Sequence, residues 1–85
     1  MDRRVSEPVT IKLKLSCVDT EACIVNFEPY GAHHELSGED HFDVTISGEG
    51  SGEVEVAYLA EGITLWIWGG ATYRITNCRG VELFL

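Results

Sequence analysis

Apolar and polar residues alternate along almost the whole chain, and this period of two limits the fold more than any other feature. In "VTIKLKLSC", Val9, Ile11, Leu13, Leu15 and Cys17 fall on one side, with Thr10, Lys12, Lys14 and Ser16 on the other. Successive side chains of a strand point to opposite faces, so such a run reads as a half-buried strand. "CIVNF" follows after the polar turn "VDTEA". A hairpin with Cys17 opposite Cys23 would set Leu15 against Val25 and Leu13 against Phe27. That matches apolar to apolar on one face.

The pattern continues. Pro29 and Gly31 mark a turn, and "AHHEL" is a short strand ended by "SGED". "HFDVTIS" turns Phe42, Val44 and Ile46 inward, and "GEGSG" reads as a hairpin loop. "EVEVAYL" sends Val54, Val56 and Tyr58 inward, with Glu53 and Glu55 outward. In "ITLWIW", Ile63, Leu65 and Ile67 share one face, with Thr64, Trp66 and Trp68 on the other. "ATYRITN" and "VELFL" close the chain with Tyr73, Ile75, Val81, Leu83 and Leu85 inward. About eight short strands separated by turn signals predict an all-β fold, a single antiparallel β-sandwich or small barrel. Residues 1–8 read as an N-terminal tail and 9–85 as one β domain.

Charge is distributed unevenly. The net charge is −8, yet Arg3, Arg4, Lys12, Lys14, Arg74 and Arg79 all lie near the chain ends. No Lys or Arg occurs from Leu15 to Tyr73. That span holds Asp19, Glu21, Glu28, Glu35, Glu39, Asp40, Asp43, Glu49, Glu53, Glu55 and Glu61. Such a chain repels phosphate backbones, which argues against nucleic acid, and it would steer a basic partner toward its middle section. The plainer reading of the acids is solubility. "MDRRVSEP" has no apolar run behind it and does not read as a signal peptide. No stretch reaches the ~18 apolar residues of a membrane helix. Cys17, Cys23 and Cys78 form no C-x-x-C pair and leave one over, so a reduced, cytoplasmic chain is the simplest expectation. Cys17 and Cys23 read as core thiols, with a bridge under oxidation as the lesser alternative.

Chemistry has few footholds. His33, His34 and His41, with Glu35, Glu39 and Asp40 nearby, are the candidate metal ligands. Adjacent residues of a strand face opposite ways, so only one of His33 and His34 would join His41, and only if "SGED" makes a hairpin. Solvated loop histidines are the competing reading. The stretch lacks the alternating His-x-His of the cupin metal motif. Cys78 has Arg79 beside it, a weak activating signal for a thiol. There is no G-x-S-x-G turn, and "GEGSGE" has no Lys to hold a phosphate. Nothing here indicates an enzyme or a cofactor.

Trp66 and Trp68, two apart on one strand, predict a broad apolar surface, extended by Ile24 and Phe84. Three readings stay open: a second core layer, a homo-oligomer seam, or a partner-binding patch. The expected partner-binding set is Trp66, Trp68, Phe84, Glu28, Glu35, Glu39, Asp40 and Asp43.

The run "NFEPYGAHHELSGEDHFDVTISG", with Phe27, Glu28, Pro29, Tyr30, Gly31, Leu36, Gly38 and Glu39 at its key positions, resembles a pattern in small bacterial all-β proteins. "GITLWIWGG" is similar to their downstream strand. The resemblance covers about two-thirds of the chain and implies a shared fold and no activity; its residues serve turn geometry. The expected function is that of an interaction module, inhibitor-like or regulatory, contacting a basic protein. The alternatives are a metal- or ligand-binding barrel using His33, His34 or His41, and a structural homodimer through Trp66 and Trp68.

Overall fold

The computed structural model describes residues 7–17, 22–60 and 62–85. Asp19, Glu21, Glu61, Arg3, Arg4 and the expected "VDTEA" turn up to Glu21 lie outside the described residues. Eight strands follow in order: β1 Val9–Leu15, β2 Ala22–Glu28, β3 Ala32–Ser37, β4 Phe42–Gly48, β5 Val54–Leu59, β6 Gly62–Ile67, β7 Thr72–Asn77 and β8 Glu82–Leu83. They form two four-stranded sheets. Sheet A has the order β1-β4-β7-β8 and sheet B the order β3-β2-β6-β5. The inward residues of both sheets make one core, in which Val25, Phe27, Leu36, Ile46 and Leu65 are fully buried.

The all-β sandwich expected from the alternation is therefore present, but three local pairings differ. First, β1 pairs with β4, setting Ile11 against Ile46, Leu13 against Val44 and Leu15 against Phe42. The expected hairpin of β1 with "CIVNF" does not form, because an apolar face in phase matches any other strand with the same alternation. Instead the chain crosses to the other sheet after Cys17. Cys17 and Cys23 are still close, with Cα atoms 6.1 Å apart, and they form a disulfide linking the end of β1 to β2. The core placement is as expected, with Cys17 buried and Cys23 packed against the core, but the two form the bridge that was the lesser alternative.

Second, β2 and β6 run parallel. The two strands approach so closely that a Cβ on Gly62 would strike the carbonyl oxygen of Ile24. Third, "SGED" and "GEGSG" are crossings between sheets, not hairpin loops, since they join β3 to β4 and β4 to β5. In the second crossing Gly50 has φ +136°, and a Cβ there would collide with the indole of Trp68. Glycine is required on both counts. The hairpins are β2–β3, β5–β6 and β7–β8. At the first, Gly31 takes φ +71°, as the turn reading of Pro29–Gly31 expects, and the Glu28–Pro29 peptide is cis.

This topology converts the charge pattern into geometry. Sheet A is built mainly from the chain ends, β1, β7 and β8. Sheet B is built wholly from the middle, and none of its strands contains Lys or Arg.

Candidate functional site

Three strands of sheet B present one cross-strand row on the outer face. Glu28 of β2 is in register with Trp66 of β6, and Trp66 is in register with Glu55 of β5. Neighbouring positions across strands lie about 5 Å apart, so the indole stands between two carboxylate-bearing positions. Trp66 is 46% exposed although it lies on an interior strand of its sheet. Beside it a shallow depression of about 470 Å³ is lined by Glu53, Glu55, Trp66 and Trp68, with Val54 and Ile67. The row below it is polar and tied down: the Asn26 side-chain amide donates to the Thr64 hydroxyl at 3.2 Å. Glu35 lies two strands away on β3, in register with Ile24.

The row is held from the core side. The Tyr73 hydroxyl donates to the carbonyl of Glu28 at 2.8 Å, and the Leu65 carbonyl is 3.2 Å away. It therefore holds the β2 backbone at Glu28 close to the β6 backbone at Leu65, just before Trp66. Its ring packs edge-on against Phe27 and Tyr30, with centroids 5.1 and 5.7 Å away. Burial, then the neighbouring Tyr30 and Glu28, push its hydroxyl well above the ordinary tyrosine range, so Tyr73 stays a neutral donor. The Gly31 amide donates to Glu28 Oε1 at 3.1 Å, which aims that carboxylate from the β2–β3 turn.

An aromatic face flanked by carboxylates suits a cation. The ring quadrupole attracts an ammonium or guanidinium, and the acids add charge-assisted hydrogen bonds. No Lys or Arg of this protein's own lies on any strand of the sheet to occupy the row.

The other expected site residues are dispersed. Trp68 is 9% exposed and belongs to the core; its indole N–H donates to the Glu49 carbonyl at 3.0 Å. It follows the last residue of β6, where the alternation breaks and Ile67 and Trp68 are both buried. The continuous Trp66/Trp68 surface is thus corrected to a single exposed indole. Phe84 is 77% exposed but follows β8, on the other sheet. Asp43 lies on sheet A, in register with Lys14, and accepts from His41 Nε2 at 3.1 Å. Asp40 caps a turn: its Oδ1 accepts from the amides of His41 at 2.7 Å and Cys78 at 2.9 Å. Glu39 sits exposed in the same connection.

The histidines do not converge. His33 is exposed on the outer side of β3, whereas His34 turns toward Phe27 and Phe42 and donates through Nε2 to the Phe84 carbonyl at 3.0 Å. β3 and β4 lie in different sheets, so the hairpin that would join His41 to either is not made. Among the described residues no group of three or more His, Cys, Asp or Glu is placed to hold a metal ion. Cys78 is exposed, and its hydrogen bond to Asp40 pushes the thiol up, outweighing the opposing effect of Arg79.

Glu28 and Trp66 were among the expected partner-binding residues, but Glu55 and the row itself were missed, because the register that completes it joins β2 to β6, far apart in sequence. Its only sequence signals were the outward phase of each residue and the cation-free middle of the chain. No helix among the described residues is long and apolar enough to cross a membrane. Comparison with protein-family models, curated proteins and solved structures finds no match for this chain.

Proposed function

We propose that this domain is a non-enzymatic interaction module that binds a basic protein through the outer face of sheet B. The observation that carries the reading is the exposed Trp66 in register between Glu28 and Glu55 on a sheet without Lys or Arg. Trp66 serves as the anchor for a Lys or Arg side chain. Glu28, Glu55 and the adjacent Glu53 supply the complementary field, with Glu35 at the rim. Aromatic anchors with charged surroundings are the usual energetic centre of such contacts. The raised thiol of Cys78 speaks against a nucleophilic role for that residue. A homodimer through paired tryptophans has less support, because Trp68 is in the core.

The test is capture from an extract of the source cell at low salt, with the native protein and a Trp66→Ala/Glu55→Gln variant as baits. A basic protein retained by the first and lost by the second is the expected result. Retention of nothing basic by the native bait would refute the reading. The cytoplasmic setting proposed from the cysteines goes with a reduced Cys17–Cys23 pair, whereas an intact disulfide persists in an oxidising compartment. Counting alkylatable thiols in protein isolated from its own cell decides this: three for the cytoplasmic setting, with only Cys78 reacting in the opposite case.

A further inference from the structure

Each sheet ends in two edge strands, and the four edges are not alike. β8 is two residues long, too short to template another strand. β3 is flanked on its core side by the contact of His34 with the Phe84 carbonyl. β1 carries Lys12 and Lys14, the usual guard against edge-to-edge pairing. β5, like β3, runs six residues without Pro or Lys, and among the described residues it pairs on one side only, with β6. It differs from β3 in its exposed apolar side chains and the acids at its start.

The core side of β5 is only partly covered: Val54 packs against the core, but the two residues that follow it on that face do not. Val56 and Tyr58 oppose the buried Leu65 and Ile63 in the ladder, yet they are 43% and 81% exposed. The corner beside Tyr58 and Leu59 opens into a depression of about 540 Å³ that reaches Cys17 at the end of β1. On its outer side β5 carries Glu55, and Glu53 immediately precedes the strand. One more strand along this edge would therefore meet apolar side chains on one face and, on the other, carboxylates along the first half, followed by Ala57 and Leu59.

The molecule already contains one strand with the matching chemistry. In β1, Ile11 and Leu13 pack on the core while Lys12 and Lys14 face outward, with Lys14 in register with Asp43 of β4. We infer that the basic partner presents an extended segment of alternating aliphatic and Lys or Arg residues, which adds to the free edge of β5 as a fifth strand of sheet B. This rests on the basic-partner reading above and specifies its mode. Main-chain hydrogen bonds to β5 hold the segment, as in other strand-addition complexes. Its aliphatic residues cover Val56 and Tyr58. Its cations lie over Glu53 and Glu55, one strand from Trp66.

The probe is a synthetic peptide alternating Lys and Val. A control of the same composition has the two residue types in separate blocks. Amide hydrogen exchange and Kd are measured at low salt with the full chain. The expected result is slowed exchange at the alternate amides of Val54–Leu59 that do not bond to β6, with weaker binding of the block peptide. Glu53→Lys/Glu55→Lys should weaken the alternating peptide by roughly tenfold or more. A peptide with Glu in place of Lys should restore binding to that variant. Protection elsewhere, or unchanged binding to the charge-reversed protein, would overturn strand addition and leave the basic-partner reading standing. If neither peptide binds, and extract capture also returns nothing basic, both readings fall. β5 amides already protected in the peptide-free protein, with a dimeric mass in solution, would assign the edge to a second copy and overturn the inference.

Discussion

The two outer faces of the sandwich follow the same strand alternation and carry opposite chemistry. On sheet A, Lys12, Lys14 and Arg74 stand among Thr10, Thr45, Ser47, Thr72 and Thr76, with Asp43 and Glu82 as local counter-charges. Arg74 Nε and Glu82 Oε1 are 3.8 Å apart, and both side chains are well exposed. Such pairs contribute little to stability and leave the face nearly neutral. On sheet B, Glu28, Glu35 and Glu55 have no Lys or Arg on any strand of the sheet, and Trp66 rises among them. The difference comes from topology. Only β4 brings the acidic middle of the chain into sheet A, and its Asp43 is in register with Lys14. A charge split along the sequence has become a charge split across the molecule, with carboxylates that neighbour Lys and Arg on one face and carboxylates without Lys or Arg among their strand neighbours on the other.

The largest effect that bears on this comparison separates the two tryptophans. Trp68→Ala empties a core site and removes an indole hydrogen bond, so it should cost about 3–5 kcal/mol of unfolding free energy. Trp66→Ala removes a half-exposed ring from an interior strand and should cost about 1–2 kcal/mol, clearly less than Trp68→Ala. Urea denaturation of both variants measures this. Equal losses would mean that Trp66 is as structural as Trp68, and the outer face of sheet B would lose its anchor.

Next come the charges themselves. Glu28→Gln/Glu55→Gln should slow association with a basic partner by about tenfold at low salt, and the difference should shrink as salt rises. Lys12→Gln/Lys14→Gln on the opposite face should leave that rate unchanged or raise it. Stopped-flow rates across a salt series report both. An equal response to the two pairs would show that net charge acts, not the face.

A smaller effect tests how the acidic row is positioned. Tyr73→Phe keeps the ring packing against Phe27 and Tyr30 but leaves the Glu28 carbonyl without its donor. The expected stability loss is about 1 kcal/mol. Affinity for the basic partner should fall with it, because the backbone beneath Glu28 and Trp66 is released. An affinity equal to the parent's would show that the row does not depend on this core hydrogen bond.

The strands were legible because the apolar period is local: Phe42, Val44 and Ile46 announce a core face without reference to any other segment. Partner choice was not. β1 matches "CIVNF" as well as it matches β4 by hydrophobicity, and no residue in "VTIKLKL" encodes which sheet it joins. Burial within a face was also hidden. Val56 and Tyr58 have an inward phase but stay exposed because β5 is an edge, whereas Trp68 has an outward phase and is buried because the strand has ended. The acids were legible as a group; their division into those that tie turns together and those left at the surface depends on hydrogen bonds formed only in the fold.

Asp40 shows that division at its smallest scale. It belongs to the acidic middle section, yet it works in the frame: its carboxylate joins the β3–β4 crossing to the β7–β8 turn through the amides of His41 and Cys78. Hydrogen bonds from Cys78, then from the His41 amide, hold its pKa below the usual carboxylate value. A depressed folded-state pKa means that the stability from Asp40 is fully present above the ordinary carboxylate range and is lost as pH falls through the lowered value. Asp40→Asn retains an acceptor oxygen but removes the charge, so the variant should lose stability at neutral pH and converge with the parent in strong acid. The Cys78 thiol, raised chiefly by its hydrogen bond to Asp40, should then ionise more readily and react faster with iodoacetamide at mildly alkaline pH. Binding of a basic partner on sheet B should not change. An alkylation rate unaltered by the substitution would dissociate Asp40 from the β7–β8 turn and return it to the acids available for recognition.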